Sequence, residues 1–156
     1  MNKKFLLIIL ICLTLALTLG SVSAAEFTNH QFGNDFSMKI EKGTHFEKNS
    51  TKLDLFEMES KMTVYMNEKL VIVYNDLPFL DGNSSSLFYQ YMFEQSNPDL
   101  SQCYETQDDN LTILQPVKQD KTHVNLVGVN SGNKTVIIMG QDLNDLKTMG
   151  KSVKFD

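Results

Sequence analysis

The sequence predicts an α+β domain in which one antiparallel sheet is flanked by helices on both faces, forming a three-layer sandwich. Residues 70–74 and 136–139 are apolar at consecutive rather than alternate positions. Because successive residues of a strand point to opposite faces, both faces of the sheet must be covered at these two strands. Turn residues at 67–68 and 130–133 join neighbouring strands directly, which indicates hairpins and therefore antiparallel pairing.

Hydrophobic periodicity places the strands in order along the chain. Apolar and polar residues alternate at 36–40 and again at 62–66, a pattern typical of half-buried strands. The second of these segments is expected to form a hairpin with 70–74. The strongest local signal is another hairpin, formed by 123–129 and 134–139. Shorter strands are predicted at 53–55, 103–105, 111–113 and 153–155.

Two helices complete the predicted domain. The first begins near the serines at 84–86, which are good N-caps, and ends at Asn97-Pro98. Its apolar residues recur at the spacing i, i+1, i+4, i+5, so they are expected on one buried face. These residues are Leu87, Phe88, Tyr91 and Met92. The second helix is expected to begin after the N-cap residue Asp142 and to end at Gly150.

The N-terminus has the three parts of a secretory signal peptide, which we predict at residues 1–25. Two lysines precede an apolar run at 5–19, which is shorter than the roughly 20 residues that a membrane-spanning helix needs. Small residues follow, and cleavage after Ala24 fits as well as cleavage after Ala25. We therefore expect a secreted or extracytoplasmic protein associated with the cell surface. An uncleaved N-terminal anchor is the alternative.

Cleavage would leave residues 26–156, which we expect to fold as a single α/β sandwich domain. This domain has 12 lysines against 19 acidic residues, so its net charge is −7 instead of the −5 of the whole chain. The chain contains no arginine. Because an acidic domain without guanidinium groups binds phosphates poorly, we expect no nucleic-acid partner. We also expect no membrane span after cleavage.

Cleavage would also remove Cys12 and leave Cys103 as the only cysteine. The exported domain would then have no internal disulfide, and its apolar core would have to supply its stability. The thiol of Cys103 could be a buried apolar group, or it could act as a nucleophile with His123 as its base. No known nucleophile motif surrounds Cys103, so we expect no catalytic site.

The residues that could hold a metal are poorly spaced for that purpose. The histidines, His30, His45 and His123, are scattered and lack the spacing of zinc ligands. Methionines recur at positions 58, 62 and 66, and thioethers can bind Cu(I), but methionine is also a common core residue. We therefore expect no metal and no cofactor.

Two sets of residues are candidates for surface functions. Four Asn-x-Ser/Thr sequons fall in segments where turn residues predict loops, so N-glycosylation is expected if the host has the machinery. Their acceptor residues are Asn49, Asn83, Asn110 and Asn133. In the first helix, Tyr89 and Phe93 are spaced i, i+4, away from the predicted buried face. If both are exposed they form a partner-binding patch, and the alternative is a helix that is covered on two sides.

One part of the sequence resembles a known group of proteins. The tail from 136 to 143, continuing through Leu146, Met149 and 152–155, resembles small exported proteins of methanogenic archaea, most of which have no assigned function. The order of elements resembles that of the PsbP/Mog1-like α/β/α sandwich. This resemblance implies an accessory or binding protein rather than an enzyme. It assigns no role to any individual residue of the chain.

The sequence therefore favours an exported, non-catalytic binding or accessory domain at the cell surface. Its partner would be a cell-surface protein or another envelope component. A small extracytoplasmic hydrolase with unidentified catalytic residues is the alternative, and a pocket that gathers Cys103, His123 and a carboxylate would favour it. A copper chaperone that uses the methionines is a third hypothesis.

Overall fold

A computed structural model describes most of the chain beyond its N-terminal segment. The described residues are 26–55, 58–76, 82–100, 102–118, 120 and 122–156. The predicted signal peptide, residues 1–25, lies outside them. Within the described part the chain is mostly β, with ten strands and two helices.

The elements follow one another with short connections. Their bounds are β1 (Phe27–Phe32), β2 (Phe36–Glu41), β3 (Glu47–Leu55), β4 (Met58–Met66), β5 (Leu70–Asp76), α1 (Gly82–Ser96), β6 (Cys103–Asp108), β7 (Leu111–Pro116), β8 (Asn125–Ser131), β9 (Lys134–Gly140), α2 (Leu143–Lys151) and β10 (Lys154–Phe155). Seven strands form one antiparallel sheet in the order β3-β4-β5-β9-β8-β7-β6. The other three form a small antiparallel sheet in the order β1-β2-β10.

The two hairpins predicted from the sequence are both present. β4 pairs with β5 across a turn in which the side-chain carbonyl of Asn67 accepts hydrogen bonds from the backbone N–H groups of Lys69 and Leu70, at 2.8 and 2.9 Å. β8 pairs with β9 around Gly132, whose φ of +62° lies in the left-handed region that favours glycine. These local signals predicted the pairing correctly because turn geometry and strand register are linked.

The two continuous apolar segments lie side by side at the centre of the large sheet. Ile72 of β5 pairs with Ile138 of β9, and the next pair is Val73 with Ile137. All four side chains are buried. Because alternate residues point to opposite faces, these strands contribute to two separate cores, one on each face of the large sheet.

The core on the first face, here called the α1-side core, lies beneath helix α1. The helix contributes Phe88, Tyr89, Met92 and Phe93, and the sheet contributes Met62, Val64, Met66, Val73, Leu114, Leu126, Ile137 and Met139. All of these side chains are buried. The helix ends as predicted, and the amide of Asn97 secures its end to β8: it accepts from Val124 N–H at 2.9 Å and donates to Val124 C=O at 3.2 Å.

The core on the second face, here called the β2-side core, is covered by the small sheet and helix α2 together. From the small sheet, β2 directs Phe36, Met38 and Ile40 into this core. An aromatic stack joins the two sheets. The ring of Phe36 stacks on Phe32 at 4.7 Å and on Tyr74 of β5 at 5.5 Å, measured between ring centroids. Tyr65 of β4 meets Phe32 edge-on at 4.9 Å.

The predicted single sheet with helices on both faces, a three-layer PsbP/Mog1-like sandwich, is wrong. The chain forms two antiparallel sheets and is mostly β. The apolar runs correctly required a cover on both faces, but the pattern cannot specify whether that cover is a helix or another sheet. Strand β1 was not predicted at all, because its central residues are polar and exposed, so it shows no alternation.

Helix α2 begins as predicted but ends later. Asp142 is its N-cap, and the carboxylate accepts hydrogen bonds from the backbone N–H groups of Asn144 and Asp145 at 2.9 and 3.1 Å. The predicted end at Gly150 is wrong, because the helix continues to Lys151. Gly150 instead permits close packing, since a Cβ atom there would lie 2.8 Å from Val127 Cγ1.

Helix α1 packs closely on β8 because of one glycine. A Cβ atom on Gly128 would lie 2.5 Å from Cζ of Tyr89, so the Tyr89 ring rests directly on the glycine backbone. The Tyr89 hydroxyl lies beside the buried Thr135 without meeting the geometry of a hydrogen bond. Burial raises the pKa of this phenol.

We predict that Gly128→Ala lowers the free energy of unfolding by about 2 kcal/mol or more, because the new methyl group and the Tyr89 ring cannot occupy the same space. Urea denaturation of the wild-type and variant proteins measures this loss. In a Tyr89→Leu background the same substitution should cost much less, which a double-mutant cycle detects. An equal cost in both backgrounds would show that the ring is not the obstacle.

Candidate functional site

The predicted partner patch on helix α1 does not exist in this fold. Tyr89 and Phe93 are each only 2% exposed and belong to the α1-side core. The buried stripe of the helix lies one position later than predicted, because Tyr89 replaces Leu87 on the face that meets the sheet. Leu87, predicted to be buried, is 70% exposed. The sequence allowed both rotations of the helix, since Leu87 and Tyr89 flank the same buried Phe88.

The four sequons lie in three different settings. Asn110 and Asn133 are exposed in the tight turns of the β6–β7 and β8–β9 hairpins, as expected for glycan acceptors. Asn49 is exposed on strand β3 and not in a loop. Asn83 is in the first turn of helix α1, again not in a loop. Glycosylation therefore remains a prediction at all four positions, with Asn110 and Asn133 in the predicted kind of structure.

The chemistry around Cys103 does not resemble that of a nucleophilic cysteine. Cys103 is on β6, partly buried against the α1-side core. Burial, followed by the negative charges of Glu105 and Glu94, raises the pKa of its thiol, so the thiolate is disfavoured. His123 precedes β8, on the far side of β7, and its Nδ1 lies 3.0 Å from a carboxylate oxygen of Asp120. The neighbours that affect the thiol are thus acidic groups and not the imidazole.

The methionines of the predicted copper stripe are core residues. Met62 and Met66 lie on one face of β4 and pack in the α1-side core with Met92 and Met139. The side chain of the third predicted residue, at position 58, lies outside the described side chains. Within the described ranges, no group of three or more His, Cys, Asp or Glu side chains could hold a metal ion.

One edge of the large sheet differs from the rest of the surface. Strand β6 is the last strand in the order, and its six residues pair one-to-one with β7, without a bulge. Its four central residues, 104–107, are exposed. An edge strand directs the N–H and C=O groups of alternate residues away from its neighbour, which makes it a template for another strand. Among the described residues, no strand pairs with the outer side of β6.

Two of the largest exposed apolar side chains lie beside this edge. Tyr104 is 59% exposed and pairs with Gln115 on β7, and Val117, which follows β7, is 45% exposed. Tyr104 points to the face of the sheet that carries the β2-side core, since Thr106 pairs with the core residue Ile113. Here the cover provided by α2 ends, and the aromatic ring remains exposed.

The other face of β6 carries an acidic group. The carboxylate of Glu105 accepts hydrogen bonds from Ser86 Oγ at 3.3 Å and from Gln90 Nε2 at 3.2 Å, both on α1. Glu94 lies one helical turn after Gln90 on α1, on the same side of the helix, and its charge contributes to the raised pKa of the Cys103 thiol. In the described part of the chain, neither carboxylate has a lysine or histidine within ion-pair distance. This face therefore carries uncompensated negative charge.

The opposite edge of the sheet, strand β3, is protected in the usual way. It carries lysines at positions 48 and 52, and charged side chains, especially lysine, discourage strand addition. The Lys48 ammonium group lies 5.4 Å from the ring centroid of Tyr65. Strand β6 has neither lysine nor proline. The two edges of one sheet thus differ in their charged side chains, since only β3 carries lysine.

The end of β6 is secured to helix α2 by ion pairs. Asp108 accepts from Lys151 Nζ at 3.0 Å and from Lys147 Nζ at 3.5 Å. These ammonium groups lower the pKa of the Asp108 carboxyl below its ordinary 3.8. The next residue, Asp109, has a φ of +57°, in the left-handed region, and completes the tight turn into β7.

We refer to Tyr104, Glu105, Thr106, Gln107 and Val117 as the β6 edge site. No sequence pattern predicted this site. The available signal was weak: a single aromatic residue in a short polar strand. Exposure of Tyr104 becomes apparent once the strand order places β6 at the edge of the sheet.

Comparison with known proteins does not place the chain in a group. No protein-family model, curated protein or solved structure matches it significantly. The resemblance to exported archaeal proteins therefore remains a prediction from the sequence. Neither helix in the described ranges is long and apolar enough to cross a membrane.

We predict that Asp108→Asn lowers stability at neutral pH, and that its difference from wild type shrinks as the pH falls below 3.8. The lowered pKa means that the folded state favours the Asp108 carboxylate. The stability that this carboxylate contributes is therefore present above the ordinary pKa and is lost on acidification. Urea denaturation at neutral and acidic pH measures both values. Asp99→Asn, at an exposed position after α1, is the control. A difference that does not depend on pH would contradict the ion-pair explanation.

We predict that Cys103 reacts slowly with iodoacetamide in the folded protein, since its raised pKa keeps it protonated. In a Cys12→Ala variant, in which only Cys103 can react, the alkylation rate should reach half its maximum at a pH above 9.0, the ordinary pKa of a cysteine thiol. Glu105→Gln should move this midpoint down, because it removes a negative charge. A midpoint below the ordinary value would instead indicate an activated thiol and favour the hydrolase hypothesis.

Proposed function

We propose that this chain is an exported, non-catalytic domain that binds a protein partner at the cell surface through the β6 edge site. The proposal of export comes from the predicted signal peptide. The observation that carries the binding role is the position of Tyr104, which is exposed on an edge strand whose outer side pairs with no strand of the described ranges. Tyrosine is enriched at protein interfaces because it combines a large apolar ring with a hydrogen-bonding group.

Three features of the site favour binding over a purely structural role. The edge has no bulge, lysine or proline that would prevent strand addition. Its register is fixed, because β7 holds β6 along its whole length and the ion pairs of Asp108 secure one end. Exposed apolar side chains stand beside it, where a partner would bury them.

The hydrolase alternative receives no support from the described residues. It needs an activated nucleophile, and the surroundings of Cys103 disfavour the thiolate. The copper hypothesis is weakened as well, since Met62 and Met66 are needed to fill the α1-side core.

We expect that Tyr104→Ser reduces capture of the natural partner at least about fivefold, because an interface tyrosine commonly contributes more than one kcal/mol to binding. The test is affinity capture of the tagged full chain from the envelope fraction of its native host, with quantitative mass spectrometry. Leu87→Ser is the matched control, because it removes another large exposed apolar side chain, one on α1 that is 70% exposed against 59% for Tyr104. Equal capture by Tyr104→Ser and wild type would refute the role of the β6 edge site.

A further inference from the structure

We propose that the partner presents an extended segment with alternating basic and apolar side chains, which adds to strand β6 as an eighth strand of the large sheet. This inference rests on the proposed function, since it specifies what binds at the β6 edge site. Strand addition is a common mode of peptide recognition, in which the backbone provides affinity and alternate side chains provide specificity.

The backbone of β6 allows such a strand to bind in register. All six residues of β6 lie in a regular antiparallel ladder with β7, so alternate residues direct their N–H and C=O groups outward in a regular pattern. A partner of six or seven residues would match this length. Its side chains would then alternate between the two faces of the sheet, and each face offers different chemistry.

On the face covered by α1, the added strand would meet negative charge. Its side chains would lie about 5 Å from those of β6 at directly opposed positions, close enough to pair with Glu105. Glu94 follows Ser86 and Gln90 at the i, i+4 spacing of α1, so it adds a second carboxylate on the same side of the helix. Ser86 and Gln90 donate to Glu105 as neutral groups, so they orient the carboxylate without neutralising it. Lysine or arginine is therefore the complementary side chain on this face.

On the opposite face, the added strand would meet Tyr104 and Thr106. Aromatic and β-branched residues pair favourably across strands. An apolar side chain on the partner would cover the Tyr104 ring. It would thereby extend the apolar contacts on this face beyond the part of the sheet that α2 covers. The partner segment should therefore alternate basic and apolar residues with the period of a strand.

A second copy of this chain is a poorer occupant of the same edge. Antiparallel pairing of two β6 strands with matched faces would bring together Glu105 and Glu94 from both copies. Four carboxylates on one face, with no cation among the described residues to offset them, would repel one another. The same charge thus opposes self-association and favours a basic strand.

The test uses the full chain and three fluorescent synthetic peptides of nine residues. One alternates lysine with valine, one alternates glutamate with valine, and one has the lysines and valines in two separate blocks. Fluorescence anisotropy measures binding, and hydrogen exchange read by NMR measures protection of the β6 amides. We expect the alternating Lys/Val peptide to bind best, with affinity that falls as salt rises and with new protection along β6.

Variants distinguish this mode of binding from unspecific attraction to an acidic protein. Glu105→Gln should raise the Kd of the alternating Lys/Val peptide about threefold or more, as expected for loss of a cross-strand charge pair. Glu26→Gln is the matched control, because it removes an exposed carboxylate from the small-sheet end of the molecule and should leave the Kd unchanged. Thermal denaturation confirms that each variant is folded.

Each alternative result has a distinct meaning. Equal binding of the block peptide, or binding without protection of β6, would overturn strand addition in favour of simple charge attraction. Preference for the Glu/Val peptide would overturn the predicted partner chemistry but leave the β6 edge site as a binding site. Concentration-dependent dimers with protected β6 amides would identify a second copy as the occupant. If Tyr104→Ser leaves capture of the natural partner unchanged, the proposed function itself fails.

Discussion

The structure depends on one constraint: the central strands of the large sheet are apolar on both faces. Ile72 and Ile138 need a cover on one side, and Val73 and Ile137 need one on the other. Burial of apolar side chains such as these is the dominant favourable term in folding. The elements outside the large sheet each cover one of these faces. Helix α1 covers the first face, and the small sheet with α2 covers the second.

The two covers are held by different kinds of packing. On the β2-side, flat aromatic rings stack between the sheets, with Phe36 between Phe32 and Tyr74. Two sheets can approach in this way because rings fill the space between them while lying nearly parallel. On the α1-side, a helix must approach the sheet closely, and Gly128 permits this by leaving room for the Tyr89 ring. Tyr89, which the sequence suggested for a surface patch, is thus a core residue.

The same constraint explains the position of the candidate site. On the face of the β2-side core, helix α2 packs against β7, β8 and β9. At β6 this cover ends, which leaves Tyr104 exposed on an edge strand whose outer side pairs with no described strand. Glu105 gives this edge negative charge, while β3 at the other edge carries lysines. The proposed binding site therefore lies on β6, the edge strand whose four central residues are exposed.

The sequence by itself determined the local structure: the hairpin at Asn67, the N-cap at Asp142 and the end of α1 at Asn97 follow from the chemistry of neighbouring residues. It also determined that both faces of β5 and β9 are buried. Tertiary structure alone decided which element covers each face, which side of α1 faces inward, and which strand is the edge. These features depend on contacts between residues distant in the chain, such as Tyr89 with Gly128. A periodic hydrophobic pattern in the sequence indicates that a residue is buried, but it does not indicate which element of the fold covers that residue.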